Sequence, residues 1–330
     1  MPSKAILSPD IEGAEELNIP AFSFLITHPD GKHVLFDLGV RKDWENMAPA
    51  VVERIKKNGW GLNIEKDVAE ILDHFAHEVG VGKSMIDAII WSHYHWDHQG
   101  NVSLFPSKTD LVVGPGFKDN YTPGYPTNPK SPVNESDYKG RHLREIDFKK
   151  EGNGLVIGNC DAVDFFGDGS FYLLDTPGHA IGHMAGLARV TTSPDTFIFM
   201  GGDACHHPGE YRPTKYLPLP GHVDSLPDFS KGCPGAVLEK IHPKHSATEP
   251  FYEVADGFSH DTDEAKRSIR KVEGFDAADN VLVVIAHDRT LIGNIDFFPK
   301  NCTKWHSKNQ AEKTRWIFVN DFKKAIKRAM

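Results

Sequence analysis

The sequence predicts an α/β protein, and three observations carry that expectation. Strand and helix signals alternate through the first third of the chain. Each cluster of candidate metal ligands lies just beyond an apolar, strand-like run, where open sheets gather their sites. With 330 residues, 39% of them hydrophobic, the chain can build a large core in one enlarged domain or two ordinary ones.

In chain order, A21-F-S-F-L-I-T27 and H33-V-L-F-D37 read as strands joined across P29-D-G-K32, a hairpin signal. Between Lys42 and Lys57, Trp44, Met47, Val51, Val52 and Ile55 recur at helical spacing, and Asp67 to Val79 predicts a second helix. Ile86 to Trp91 is a short strand interrupted only by Asp87. From Gly114 to Gly140 the chain is rich in Pro, Gly, Asn and Tyr without a period, which predicts a long loop, either a lid or disordered. Strand signals resume at L155-V-I157, F171-Y-L-L174, A185-G-L-A-R-V190 and T196-F-I-F-M200, and a second irregular segment runs from Cys205 to Pro234. Thr262 to Val272 predicts a helix and V281-L-V-V-I-A286 a strand. The C-terminal piece has Trp316, Val319, Phe322 and Ile326 at helical spacing. Its terminal Lys323, Lys324, Lys327 and Arg328 suit the dipole of a helix end.

Composition narrows the function classes. A net charge of −9 gives no global basic field for nucleic acid or anionic lipid. The N-terminus lacks the apolar core of a signal peptide, and no run of about 18 apolar residues exists to span a membrane, so a cytoplasmic protein is expected. Cys160, Cys205, Cys233 and Cys302 are dispersed, without a C-x-x-C pair. Phosphate-cradling glycine loops and the G-x-S-x-G of serine hydrolases are absent, which leaves nucleotide cofactors and a serine nucleophile without support.

Eighteen histidines point instead to metal chemistry. S92-H-Y-H-W-D-H-Q-G-N101 offers His93, His95, Asp97 and His98 within six positions. His93 and His95 share one face if the chain is extended, and a turn after them would bring Asp97 and His98 round. Imidazole nitrogen and carboxylate oxygen are the donors that zinc takes. Downstream, D175-T-P-G-H-A-I-G-H183 adds His179 and His183, F197-I-F-M-G-G-D203 adds Asp203, and V281-L-V-V-I-A-H287 adds His287. The glycines beside Asp203 would let backbone pass close to an ion. His74 and His77 read as a solvated helix face, His242 and His245 as loop residues, Cys205 as a small buried side chain, and Tyr94 and Trp96 as packing residues.

H93-x-H-x-D-H98, T176-P-G-H179, Asp203 and His287, in that order and preceded by D37-L-G39, resemble the metallo-β-lactamase superfamily over roughly residues 20–290. The resemblance implies a four-layer αβ/βα sandwich of two mixed sheets flanked by helices. Residues 1–330 would form a single domain, with loop insertions near 114–140 and 205–234 and a helical extension at about 305–330. It further implies two divalent metal ions, with zinc expected and manganese, iron or cobalt also compatible with the donors. His93, His95 and His179 would hold one, Asp97, His98 and His287 the other, and Asp203 would bridge them. A metal-bound hydroxide would be the nucleophile, and Asp97 would act as catalytic proton relay. His183 would support the fold around these ligands.

Within the superfamily the chain is similar to the lactonase and fungal γ-lactam (benzoxazolinone-type) hydrolase group. Lactonases of this kind often have Tyr three positions after the bridging aspartate. Here that position is His206, which with Tyr211 is the candidate substrate contact. The implied reaction is the opening of a small lactone or lactam ring, in detoxification of a xenobiotic, with no nucleic-acid or membrane partner. Three other readings stay open: a thioester hydrolase of glyoxalase II type, a mononuclear-iron sulfur dioxygenase, and a non-catalytic binding protein on the same scaffold. Nothing in the sequence specifies the oligomeric state.

Overall fold

A computed structural model describes residues 1–224 and 226–330; Ser225, inside the expected 205–234 loop, lies outside the described residues. The chain divides into two compact units, Ala21–Ala188 and Met1–Pro20 with Arg189–Met330.

In Ala21–Ala188 the predicted hairpin forms: β1 (Phe24–Thr27) pairs antiparallel with β2 (His33–Phe36). Strand β3 (Ala88–Ile90) lies parallel to β2, β4 (Asp110–Val113) parallel to β3, and β5 (Leu143–Glu145) parallel to β4. The result is a mixed five-stranded sheet in that order. Strands β2 and β3 are buried at every residue, as the apolar runs V34-L-F36 and A88-I-I90 require.

The helix expected from Lys42 begins only at Pro49. The ring of Pro49 holds Ala48 extended (φ −52°, ψ 135°), so the chain makes a 3-10 turn at Trp44–Asn46 and starts α1 (Pro49–Asn58) with proline in its first turn. The second helix, α2 (Val68–Val79), matches expectation: Asp67 and Glu70 form a reciprocal capping box, and Gly80 ends it in a left-handed conformation.

A strand unforeseen in the sequence, β6 (Cys160–Asp164), pairs with Val156–Ile157 on one side and with β7 (Phe171–Asp175) on the other. Strand β7 pairs with β8 (Met184–Thr192) from Asp175↔Met184 to Leu174↔Ala185 and onward, so Thr176–His183 is the connecting hairpin loop. The segment from Gly114 to Gly140 is ordered by two short helices, Phe117–Tyr121 and Glu135–Tyr138, and by the Tyr138 hydroxyl, which accepts from Gly124 N at 2.7 Å. Its root touches the His179 loop: a Cβ on Gly114 would meet the Gly182 carbonyl oxygen at 1.8 Å.

In the other unit β9 (Asp195–Met200) pairs parallel with β10 (Val281–Val284). Helix α3 (Thr262–Asp276) turns Ala265, Ile269, Val272 and Phe275 into the interior. Ile6, Leu7, Phe251, Phe318, Phe322 and Ile326 form one core cluster, which is how the C-terminal helical residues are tied down. Cys205–Thr214, the first part of the expected 205–234 loop, is buried throughout. Among the described residues no helix is long and apolar enough to cross a membrane.

Candidate metal centre

The H-x-H-x-D-H segment follows β3. Its histidines do not continue the strand: the chain bends through Ser92–Tyr94, and a single helical turn spans Trp96–Gln99 with His95 at its N-cap. Gln99 fastens the turn, its carbonyl accepting from Trp91 Nε1 at 3.0 Å. Tyr94 and Trp96 take part in aromatic packing, Tyr94 stacked on Tyr121 at 4.0 Å and set edge-on to His95 at 4.7 Å, and Trp96 stacked on Trp60 at 5.7 Å.

His93, His95 and His179 converge. Their ring centroids are 4.5–4.8 Å apart pairwise, and one donor nitrogen of each lies within 4.8 Å of the others. His179 Nε2 faces His95 Nδ1 at 3.0 Å, a contact between ring nitrogens that is favourable when a proton or a cation is shared. Asp97 and His98 form a second pair of donors within the same limit. His183, also in the loop, is fully buried and bonded to the Thr176 carbonyl at 2.8 Å, as a supporting residue would be.

Asp37 orients His98. It holds φ at +57°, a left-handed conformation that Asp tolerates better than most residues, and its two oxygens divide their work. Oδ1 accepts from Ser92 N at 2.6 Å, and Oδ2 accepts from His98 Nδ1 at 2.8 Å. Donation from Nδ1 leaves Nε2 of the neutral ring as the acceptor nitrogen, the state a metal ligand needs. Sequence reading noticed D37-L-G39 without assigning Asp37 this function; a carboxylate at a strand end ahead of H-x-H-x-D-H was the available signal.

In the unit containing β9 and β10, Gly201 N donates to Val284 O and Ala286 N to Gly202 O, which extends the pairing past both strand ends. Gly202 has φ +50°, favourable for glycine, and the turn sets Asp203 beside His287. Asp203 Oδ1 lies 3.0 Å from His287 Nε2, and Oδ2 lies 3.1 Å from His206 Nε2. His287 Nδ1 donates to the Pro20 carbonyl at 2.6 Å. Its Nε2 in the neutral ring is therefore an acceptor turned toward a carboxylate oxygen, an arrangement stabilised by a proton or a metal cation at that nitrogen. These contacts fit a divalent metal better than a plain polar core.

Sequence reading also missed Glu210. It is fully buried, burial pushes its carboxyl group up, and its Oε2 accepts from His206 N and His207 N, which holds the turn after Asp203. The other expected substrate contact, Tyr211, is completely enclosed beneath the Arg212 guanidinium, 4.8 Å from its ring, and burial drives its hydroxyl well above the usual range. Burial also drives the Cys205 thiol well up, which disfavours the thiolate a metal would require. His74 and His77 are exposed on α2 and belong to no donor group among the described residues.

The model of the metallo-beta-lactamase superfamily matches residues 18–201, more than half the chain. The chain belongs to the metallo-beta-lactamase superfamily. Over 98% of its length and 79% of the relative's, it is 44% identical to gamma-lactamase FDB1 of Fusarium pseudograminearum (strain CS3096). It is 47% identical to metallo-hydrolase mfmC of Annulohypoxylon moriforme, over 96% of this chain and 83% of that one. An N-acyl homoserine lactone hydrolase, solved with the product N-hexanoyl-L-homoserine bound at its catalytic metal center, matches with a TM-score of 0.53 at 16% identity. That match covers 86% of this chain and 87% of the other and shows the shared metallo-β-lactamase fold. The α/β fold expected from sequence is the observed one, and the protein is a metal-dependent hydrolase of this superfamily.

Proposed function

We propose that this superfamily member is a two-metal hydrolase that opens a small lactone or lactam ring, in the cytoplasmic detoxification of a xenobiotic. The observation that carries the reading is the 44% identity to a gamma-lactamase across nearly the whole chain, in a sequence that retains every donor residue. By their order in the sequence, His93, His95 and His179 would hold one ion and Asp97, His98 and His287 the other, with Asp203 shared. Zinc is the expected metal; manganese, iron and cobalt suit the same donors.

When bound, divalent ions lower the pKa of a coordinated water toward about 7 and polarise a carbonyl oxygen. The chain's own residues do the rest. Asp37 keeps His98 in the tautomer that presents Nε2, and the Pro20 carbonyl does the same for His287. Asp97 takes the proton from the attacking water and delivers it to the ring oxygen or nitrogen as the acyl bond breaks, so that the carboxylate ends the cycle ionised. A substrate contact by Tyr211 would require its enclosing segment to open.

The test is metal analysis of the purified chain together with ring-opening assays on a panel of lactones, γ-lactams and cyclic carbamates. About two equivalents of metal and turnover of at least one ring class are expected; His93→Ala should lose the turnover and lower the metal content. Fewer than one metal per chain, or turnover that survives His93→Ala, refutes the reading.

A further inference from the structure

The turn after Asp203 carries a feature that the seven-residue ligand set leaves unused. His206 directs Nε2 at Asp203 Oδ2 from 3.1 Å, while His287 directs Nε2 at Oδ1 of the same carboxylate from 3.0 Å. The donor atoms of Asp203, His206 and His287 all lie within 4.8 Å of one another. The two measured separations are near the edge of a tetrahedral zinc shell, about 3.3–3.5 Å for bonds of about 2.0–2.2 Å. The imidazole planes of His206 and His287 are inclined by only 32° at a centroid distance of 5.5 Å, as two rings serving one centre can be.

His206 is also held in place. It is 4% exposed, Phe258 sets a ring edge against it at 4.8 Å, and its backbone N–H is bound by the buried carboxyl of Glu210. Such confinement fixes the direction of Nε2, and a metal ligand gains affinity from it.

We infer that His206 is a metal ligand, so that Asp203, His206 and His287 form a three-donor site within one unit. This rests on the two-metal reading and extends it, giving His206 a metal in place of the substrate contact expected from sequence. A second imidazole beside Asp203 and His287 favours borderline cations such as zinc and cobalt over magnesium or calcium.

Cobalt(II) titration of metal-free full-length protein tests this, read by visible absorption and by calorimetry. Wild type is expected to bind two ions. His206→Ala should bind one of them about 10- to 100-fold more weakly, with a changed absorption envelope, at unchanged circular dichroism. His206→Gln preserves an N–H donor toward Asp203 and removes the imidazole, so it should show the same loss. If His206→Gln restores wild-type affinity and spectrum, or if His206→Ala leaves both unchanged, His206 is no ligand and the inference falls alone. Failure of wild type to bind cobalt would instead overturn the two-metal reading and the inference with it.

Discussion

The two groups of donors differ in what holds them. In Ala21–Ala188, His93, His95, Asp97 and His98 are neighbours in sequence, and side chains orient them: Asp37 grips His98, and Ser92 Oγ lies 3.0 Å from His93 Nδ1. In the other unit, Asp203 and His287 are distant in sequence, and His287 is oriented by the backbone carbonyl of Pro20, a separation of 267 positions. A side-chain brace can be deleted by one substitution, whereas a carbonyl brace persists under almost any. His98 should therefore be fragile to mutation of its brace and His287 resistant to it.

The most damaging test removes a donor itself. His93→Ala and Asp203→Ala should each lower ring-opening activity by more than about a hundred-fold, with metal content falling in parallel. Asp203→Ala should be the worse of the two, because its carboxylate is assigned to both ions. The brace in the first group comes next. Asp37→Ala should weaken metal binding about 10- to 100-fold and cost roughly 1–3 kcal/mol of stability, since buried Ser92 N loses its acceptor. Asp37→Asn, which tolerates the positive φ and keeps an acceptor for Ser92 N, should lie between it and wild type.

A pH experiment isolates a further buried group of the first unit. Asp137 is 1% exposed near Arg41, Asp43 and Arg141, and burial raises its pKa to about 7. The folded state then holds a proton that the unfolded chain releases near 3.8, so stability falls as pH rises between those values. Between pH 5 and 8 the loss should be on the order of 2 kcal/mol, and denaturant titrations of Asp137→Asn should show that slope flattened. The smallest effect is expected at the carbonyl brace. Pro20→Ala retains the backbone oxygen, and metal affinity within about three-fold of wild type would bear out the contrast.

Legibility followed the same division. The donor-rich segment after β3, the hairpin of β1 and β2, and helix α2 with its capping box could be read because their determinants lie within a few residues. Helix α1 started late because one proline outweighed an apolar period. Strand β6 was missed because C160-D-A-V-D164 is short and half polar; it is a strand by virtue of its neighbour β7. Pro20 could not be found from pattern at all, while the local signal for Glu210 was H207-P-G-E210, a capping box with proline at its first position. The carbonyl that binds an imidazole becomes visible only when distant chain segments meet, whereas Glu210 binds amides three and four residues before it. The 205–234 segment read only as irregular, and composition did not tell its depth: Cys205–Thr214 is interior, supported by the Arg212–Asp276 ion pair with Nε 2.8 Å from Oδ2.

The contact between Gly114 and Gly182 also bears on how the protein could be diversified. No side chain fits at the root of the 114–140 segment, where it abuts the loop that carries His179. Random libraries that include Gly114 would spend most of their members on misplaced ligands. Pro126–Lys130, exposed at the far end, can vary in sequence without touching that junction. Selection for a new ring substrate should therefore accumulate changes at the tip and leave the two glycines invariant, a pattern that deep mutational scanning would read directly.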